Sequence, residues 1–274
     1  MKDWQHSEQG NLESDPQSYL NIVSLMENET NILEVIVKEL RQVIQSRSQE
    51  GKLPSDYYCC GPSPILNFIR IKDPEFYAVL TKVLSLTGVD TSNSFIDFNK
   101  SFYPQFDWIC SDAITFRRQN SLSLLNSSYH HIPDELKVGF LQNVSNNLDP
   151  NGLVIMGENF LPNYDESSRS NSVEQYYSEL ENFYLNKIKT LNGLNKAKLL
   201  EMVRLFKQVK KHDIELNGEF KNNILKFIEH VRLARLNIKK IVRVWPKKEI
   251  ILEPSVEDIP QDFYGSCVVV MNKV

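Results

Sequence analysis

The region from residue 57 to residue 161 constrains the fold most, because short apolar runs alternate there with segments of helical periodicity. Buried parallel strands have near-continuous apolar sequences, whereas amphipathic helices repeat apolar residues at intervals of three and four. The alternation is typical of βαβ units and predicts a parallel sheet with helices on its faces. The five predicted strands are Tyr57–Cys60, Ser85–Val89, Trp108–Cys110, Leu122–Leu125 and Leu153–Met156.

Helices are predicted on the amino-terminal side of this region and inside it. One helix should begin near Asp15, and a second at Asn31, where Asn31 and Glu34 form a capping-box pattern. An additional helix should begin at Asp73, which precedes a proline in the interval between the first two strands. The sequence therefore predicts an N-terminal helical segment and a long first crossover.

Helical patterns return after the fifth strand. Their first helix should begin at a second capping-box pattern, formed by Ser172 and Gln175. Two later apolar runs, Lys240–Trp245 and Tyr264–Asn272, predict an antiparallel pair of strands joined by a long connection. The predicted division of the chain is 1–54 for the N-terminal helices, 55–162 for the α/β core, 163–236 for a helical insertion or lid, and 237–274 for closing strands of the core.

Composition limits the partners of the chain. Its 31 basic and 35 acidic residues give a net charge of -4, which does not favour binding to nucleic acid. The N-terminus lacks the pattern of a secretory signal, and no apolar run approaches the roughly 18 residues of a membrane span. Four scattered cysteines predict reduced thiols and no metal site. We therefore expect a cytoplasmic protein with neither a nucleic-acid nor a membrane partner.

The residues that follow each predicted strand are the candidates for a ligand site, because open parallel sheets bind ligands at the carboxyl ends of their strands. Gly61 follows the first strand in a turn where backbone amides can approach a ligand. Asp90 follows the second, and a carboxylate there can accept both hydroxyls of a ribose. Asp112 follows the third, and His130 lies shortly after the fourth, where an imidazole can exchange protons near neutral pH.

An ordered set of motifs carries a resemblance to a known family. The motifs are Gly-Pro-Ser, Gly-Val-Asp-x-Ser, Ser-Asp-Ala, Tyr-His-His-Ile-Pro-Asp-Glu and Leu-Asp-Pro-Asn-Gly-Leu-Val-Ile. Together they cover about residues 55–162 and resemble the successive motifs of class I S-adenosylmethionine-dependent methyltransferases. The resemblance implies a Rossmann-like α/β fold with a seven-stranded, mostly parallel sheet and an antiparallel last strand. It also implies S-adenosylmethionine as the cofactor.

The resemblance assigns cofactor contacts to individual residues. In the family, residues matching Gly61 to Ser63 wrap the methionine portion, the acid matching Asp90 holds the ribose, and the acid matching Asp112 meets the adenine amino group. The candidate cofactor-binding residues are Cys60, Gly61, Pro62, Ser63, Asp90, Thr91, Asp112, Ala113 and Asn126.

The first loop departs from the family pattern, in which an acid is followed by up to three glycines. Here Tyr57 and Tyr58 stand near the place of the acid, and Cys59 and Ser63 stand near two of the glycines. The departure concerns the affinity for the cofactor rather than the fold.

The resemblance implies transfer of a methyl group to an oxygen or nitrogen of a small molecule. Either His130 or His131, with His130 favoured, would take the proton, and Tyr129 would orient the acceptor without a metal ion. Glu158 ends the fifth strand and could contact a substrate, although an exposed loop carboxylate is the commoner explanation.

Other interpretations stay open. Asp90 can be a helix cap, and either histidine can be a satisfied core or surface residue. The protein could also have the methyltransferase fold without methylating, as a binding or scaffold partner. A third possibility is an enzyme that uses the bound cofactor for another reaction, such as a cyclisation. The sequence leaves the acceptor and the oligomeric state undetermined.

Overall fold

The structure is a computed structural model that describes residues 15–47, 51–190 and 193–274. Within these ranges eight strands form one sheet. They are β1 (Leu53–Tyr58), β2 (Leu84–Asp90), β3 (Asp107–Cys110), β4 (Asn120–Asn126), β5 (Leu148–Phe160), β6 (Leu236–Trp245), β7 (Glu249–Leu252) and β8 (Gly265–Lys273). The strand order is β3-β2-β1-β4-β5-β8-β6-β7.

The sheet is parallel over its first five strands, from β3 to β5. β8 lies antiparallel to both β5 and β6, as the sequence predicted for the closing pair. This arrangement confirms the Rossmann-like, mostly parallel fold. The sheet has eight strands rather than seven, because β7 folds back on β6 as an antiparallel hairpin within the segment that was predicted to be a long connection.

Helices connect the strands and cover both faces of the sheet. In chain order they are α1 (Pro16–Val23), α2 (Glu27–Arg47), α3 (Pro64–Lys72), α4 (Pro74–Val83), α5 (Asn93–Phe102), α6 (Asp134–Asn147), α7 (Arg169–Ile188), α8 (Leu194–Ile214) and α9 (Ile224–Leu233). The predicted additional helix after Asp73 is α4, whose first turn is capped when the Asp73 side chain accepts the backbone N–H of Phe76. Among the helices in the described ranges, none has the length and apolar composition needed to cross a membrane.

Both predicted capping boxes are wrong. Helix α2 begins at Glu27, so Asn31 lies inside the helix rather than at its start. Helix α7 begins at Arg169, and the hydroxyl of Ser172 donates to the carbonyl of Pro162 at 2.5 Å instead of capping a helix. In both cases the helix extends about one turn further toward its N-terminus, where tertiary contacts override the local capping signal.

Three apolar clusters hold the helices in place. The first packs α2 to α5 against one face of the sheet, and the second packs α6 and α9 against the other. The third joins α7 and α8 to each other and to Trp245 at the end of β6. Helix α9 therefore packs with the α/β core, although its sequence lies within the predicted insertion 163–236. The pair α7 and α8 stands beside the carboxyl edge of the sheet.

Candidate active site

In the loop between β1 and α3, every second residue from 59 to 63 has a left-handed backbone conformation. Cys59, Gly61 and Ser63 adopt positive φ angles of 46°, 51° and 58°. Glycine adopts this left-handed region freely, whereas a residue with a Cβ pays about 1–2 kcal/mol. A Cβ built on Gly61 would meet no described atom within 4 Å, so open space borders the loop. The loop thus keeps a glycine-rich shape although two of the three positions carry other residues.

Asp90, the last residue of β2, fixes this loop. Its Oδ2 accepts the backbone N–H of Gly61 at 2.8 Å, and its Oδ1 accepts the N–H of Ser92 at 2.9 Å. Burial raises the pKa of Asp90, while these backbone hydrogen bonds oppose the rise. Ser111, which follows β3, donates its N–H to the Asp90 carbonyl at 2.9 Å. The carboxylate and the backbone carbonyl of Asp90 together therefore link the ends of β1, β2 and β3 next to the open side of Gly61.

Several buried polar atoms at this edge lack a hydrogen-bond partner within the described residues. They include the Ser63 hydroxyl, the Asn126 side-chain oxygen at the end of β4, and the Ser128 hydroxyl. The oxygen of Asn99 also lacks a partner, although its amide nitrogen donates to the Gly61 carbonyl at 2.7 Å. An unpaired buried polar group costs about 1–3 kcal/mol, and a bound ligand is one way to satisfy it. These atoms therefore mark places where a ligand could complete the hydrogen bonding.

The other predicted cofactor residues lie just after the carboxyl ends of β1, β2 and β3. Cys60 and Pro62 are buried within the β1 loop. Asp112 is exposed after β3, and its Oδ1 accepts the N–H of Ile114 at 2.8 Å in a tight turn. Ala113 is buried, and Thr91 is exposed directly after Asp90. The structure brings these residues to one edge of the sheet, on neighbouring strands.

His130 and Glu158 form a buried pair after β4 and near the end of β5. His130 Nδ1 lies 2.5 Å from Glu158 Oε1, and Glu158 Oε2 accepts the backbone N–H of Tyr129 at 2.9 Å. Burial lowers the pKa of His130 well below its usual value, helped by the charge of Lys221, and burial raises the pKa of Glu158. Because the carboxylate holds Nδ1, the uncharged imidazole presents Nε2 as its remaining acceptor.

Glu219, in the loop between α8 and α9, faces both histidines. Its Oε2 lies 3.7 Å from His130 Nε2, and its Oε1 lies 3.5 Å from His131 Nδ1. The Lys221 ammonium donates to Oε2 at 2.6 Å. Burial alone would raise the pKa of Glu219, but Lys221 and the two histidines lower it to about 2. His131 is only half-buried, and its Nδ1 lies 3.1 Å from the carbonyl of Gly218.

A series of ion pairs connects Glu219 and Lys221 to α7 and α8. Lys221 Nζ lies 3.7 Å from Asp213 Oδ2, and Arg169 Nη2 donates to Asp213 Oδ1 at 2.6 Å. All three side chains are buried. The loop that carries Glu219 is therefore held against α7 and α8 by alternating positive and negative groups.

A second polar network joins the N-terminal helices to the same edge. Glu29 of α2 accepts the Ser127 hydroxyl at 2.8 Å and the Asn159 amide at 3.0 Å. Tyr176 of α7 donates its hydroxyl to Asn159 Oδ1 at 3.1 Å. Burial raises the pKa of Glu29. The first turn of α2, the end of β5 and α7 therefore meet around one buried carboxylate.

The Tyr129 side chain points away from this edge. Its hydroxyl lies 2.7 Å from His230 Nδ1, and its ring packs edge-on against Phe227 at 5.4 Å. The side chain thus belongs to the apolar cluster under α9. Only the Tyr129 backbone N–H reaches the site, through Glu158, so the placement does not support an acceptor-orienting role for its hydroxyl.

Sequence reasoning missed most of the charged groups around His130. Glu158 is 1% exposed rather than a loop carboxylate, and a charged residue that ends a buried apolar strand was the available signal. Glu29, Glu219 and Lys221 lie far from His130 in sequence and follow no local pattern. Only the packing of α2, and of the loop after α8, onto the sheet brings them together.

A surface pocket of about 360 Å³ lies at the opposite edge of the sheet. Residues at the amino ends of β1, β4 and β5 line it, among them Leu53, Pro54, Ser121 and Asp149. None of the predicted site residues is there. Because parallel sheets bind ligands at their carboxyl ends, we assign no functional site to this pocket.

Solved structures of several S-adenosylmethionine-dependent proteins have a similar fold. LepI in complex with SAM aligns with a TM-score of 0.51 and 11% identity, over 86% of this chain and 46% of that chain. A methyltransferase from Clostridium acetobutylicum ATCC 824 gives 0.51 and 11%, over 89% and 91%. The magnesium protoporphyrin IX methyltransferase ChlM from Synechocystis PCC 6803, with bound SAH, gives 0.51 and 8%, over 90% and 85%.

The chain spans less than half the length of the LepI chain. No family model matches the sequence, and no curated protein matches it. Identities near 10% carry no argument about substrate. Together with the strand order and the antiparallel β8, these similarities show the fold. The chain has the fold of class I S-adenosylmethionine-dependent methyltransferases.

Proposed function

We propose that this protein is an S-adenosylmethionine-dependent methyltransferase that acts on an oxygen or nitrogen of a small molecule. The observation that carries the proposal is the cradle formed by residues 59–63 and Asp90. Every second residue from 59 to 63 has a left-handed backbone, and open space borders Gly61. The carboxylate of Asp90, at the end of β2, accepts the backbone N–H of Gly61 and so holds the loop. This is the edge at which α/β folds bind nucleotides.

The residues at this edge fit the proposed cofactor. S-adenosylmethionine carries hydroxyl and ammonium donors, and the edge offers acceptors in the Asp90 carboxylate and the unpartnered oxygens of Ser63 and Asn126. Asp112 keeps one oxygen outside its turn for a further donor. When bound, the cofactor supplies a methyl group that is already activated on a sulfonium sulfur. The protein then has to position the acceptor, exclude water and remove one proton.

His130 is the proton acceptor in this proposal. His130 Nε2 would accept the proton that the acceptor atom loses when it is methylated. Glu158 holds Nδ1 at 2.5 Å and stabilises the imidazolium that forms, which is the role of a carboxylate behind a histidine base. His131 stays the alternative, but its contact with a backbone carbonyl orients it less firmly.

The acceptor would lie beside α7 and α8. Buried side chains from both polar networks line that side of the edge, including Tyr176 and Lys221. A small molecule enclosed there would be separated from water, which favours methyl transfer over hydrolysis of the activated group.

Methyl transfer from radiolabelled S-adenosylmethionine to a panel of small hydroxyl and amine compounds tests the proposal. Titration calorimetry with the cofactor accompanies it, because binding and turnover fail separately. Binding with transfer to at least one compound class is the expected result. Binding without transfer would favour a cofactor-dependent reaction of another kind. Absence of binding at millimolar cofactor would overturn the proposal and favour a scaffold protein.

A further inference from the structure

We infer that His130, His131 and Glu219 form a binding site for a divalent transition-metal ion. One ligand atom from each side chain lies within 4.8 Å of the other two. The sequence predicted no metal site, because Glu219 is far from the histidines along the chain and no local spacing joins them. The fold creates the donor set by placing the loop after α8 over the turn that follows β4.

The distances within this donor set are close to those of a metal centre. Glu219 Oε2 lies 3.7 Å from His130 Nε2, and Glu219 Oε1 lies 3.5 Å from His131 Nδ1. Nitrogen and oxygen ligands about 2.0–2.2 Å from a tetrahedral zinc ion stand about 3.4 Å apart. The two distances involve different oxygens of Glu219, and His131 Nδ1 also lies 3.1 Å from the Gly218 carbonyl. An ion would therefore bind all three side chains only after the carboxylate rotates and His131 exchanges that hydrogen bond for the metal.

The surroundings of His130 are those of a metal-bound histidine. Histidines that bind a metal through one nitrogen usually donate the other N–H to a carboxylate, which fixes the orientation of the ring. Glu158 provides that carboxylate, 2.5 Å from His130 Nδ1. Glu158 is itself held by the backbone N–H groups of Tyr129 and Asn159, at 2.9 and 2.7 Å. The ring is therefore fixed with Nε2 directed at Glu219.

The positive charge of Lys221 disfavours a metal cation at this site, because its ammonium lies beside Glu219 and donates to Oε2 at 2.6 Å. The other carboxylate oxygen, Oε1, lies 3.5 Å from His131 Nδ1 and is the oxygen that would bind an ion. Asp213 lies 3.7 Å from Lys221 and offsets part of its charge. With Glu158 behind His130, the carboxylates around the site are sufficient to accept a divalent ion beside one ammonium.

Two imidazole nitrogens and one carboxylate oxygen suit zinc, cobalt or nickel better than magnesium or calcium, which prefer all-oxygen sites. Three protein ligands leave a coordination position open for water or for another ligand. The ion would occupy His130 Nε2, the nitrogen assigned above to proton transfer. That consequence rests on the proposed function, and it means that metal binding and proton transfer by His130 exclude each other.

Cobalt(II) is a suitable probe, because its visible absorption reports coordination directly. The protein, stripped with a chelator and free of cofactor, would be titrated with Co²⁺ and then with Zn²⁺ in competition. We expect one ion per chain and displacement by zinc. His131→Ala should weaken binding at least tenfold, and Glu158→Gln should weaken it about 10–100-fold by removing the outer carboxylate. His212→Ala, on α8 outside the site, is the matched control and should leave binding unchanged.

Circular dichroism would confirm that each variant is folded. No saturable cobalt spectrum in the wild-type protein would overturn the inference, and so would equal binding by the His131→Ala and His212→Ala variants. Because the titration contains neither cofactor nor acceptor, its outcome is independent of the methyltransferase proposal. Cofactor binding without metal binding would reject only this inference, whereas metal binding without cofactor binding would reject only the proposed function.

Discussion

The loop after β1 borders open space at Gly61, whereas the charged groups around His130 contact one another. On the Asp90 side, formed by residues 59–63 and Asp90, a loop with left-handed residues borders a gap and nearby buried oxygens lack partners. On the His130 side, formed by His130, Glu158, Glu219 and Lys221, each charged group contacts another of the set.

The difference teaches that the two sides depend on ligand in different ways. The Asp90 side has unmet hydrogen-bonding capacity, so changes there should affect cofactor affinity more than stability. On the His130 side the buried charged groups are paired with one another, and removal of one leaves its partner uncompensated. Changes there should affect stability or the chemical step while cofactor binding persists.

The largest expected effect is on the chemical step. Replacing His130 with Asn should lower the single-turnover rate of methyl transfer by roughly 10²–10⁴-fold, because the acceptor loses its proton acceptor. Cofactor affinity, measured by calorimetry, should stay nearly unchanged. The same substitution at His131 is the comparison, and equal, small losses from both variants would show that neither histidine is the base.

A large effect on stability is expected at Lys221. Lys221→Met should lower the free energy of unfolding by about 3–5 kcal/mol, because it leaves the Glu219 carboxylate buried without its cation. Urea denaturation measures the change. Lys210→Met, which removes an exposed pair with Glu174, should cost only about 0–1 kcal/mol. Similar losses from the two variants would mean that the His130 side is not the tightly coupled network described here.

The Asp90 side should respond through binding. Asp90→Ala should weaken cofactor binding by about 1.5–3 kcal/mol, because a charged acceptor for the ribose hydroxyls is lost. Asp97→Ala, at an exposed position on α5, is the control and should bind normally. Unchanged affinity of the Asp90 variant in calorimetry would remove Asp90 from the cofactor site and leave it a structural link between strands.

The smallest expected effect concerns the backbone of the loop. Cys59→Gly removes about 1–2 kcal/mol of left-handed strain and adds about 0.5–1 kcal/mol of glycine entropy. A net stabilisation below about 1.5 kcal/mol is therefore expected from thermal or urea denaturation. Cys59→Ala keeps the Cβ and should not show the gain. A destabilised Cys59→Gly variant would argue that the thiol packing matters more than the backbone conformation.

The sequence predicted the parts of the fold that depend on local patterns. The five parallel strands, the helix after Asp73 and the antiparallel β8 follow from apolar periodicity and from the resemblance to the methyltransferase motifs. The Asn31 and Ser172 capping patterns failed because tertiary contacts extended both helices. The short strand β7 was not predicted, because Pro246 and the charged residues beside it give its hairpin the composition of a connecting loop.

The candidate site likewise contains residues that the sequence could predict and residues that it could not. Asp90 and His130 could be found because Asp90 ends β2 and His130 lies shortly after β4, and position relative to a strand is visible in sequence. Glu29 and Glu219 could not, because they come from a helix and a loop that reach the sheet only after the chain has folded. The direction of the Tyr129 side chain could not be predicted either, since its partner His230 is 101 residues away in the sequence.

The most direct test of the central claim is a crystal structure of the protein with bound S-adenosylhomocysteine, the demethylated product of the proposed cofactor. The account predicts the ligand at the carboxyl edge of the sheet, with its ribose hydroxyls on the Asp90 carboxylate and its methionine portion against Gly61. It also predicts that the unpartnered oxygens of Ser63 and Asn126 gain hydrogen bonds. A ligand in the pocket at the amino edge beside Asp149, or no ligand at saturating concentration, would contradict the account.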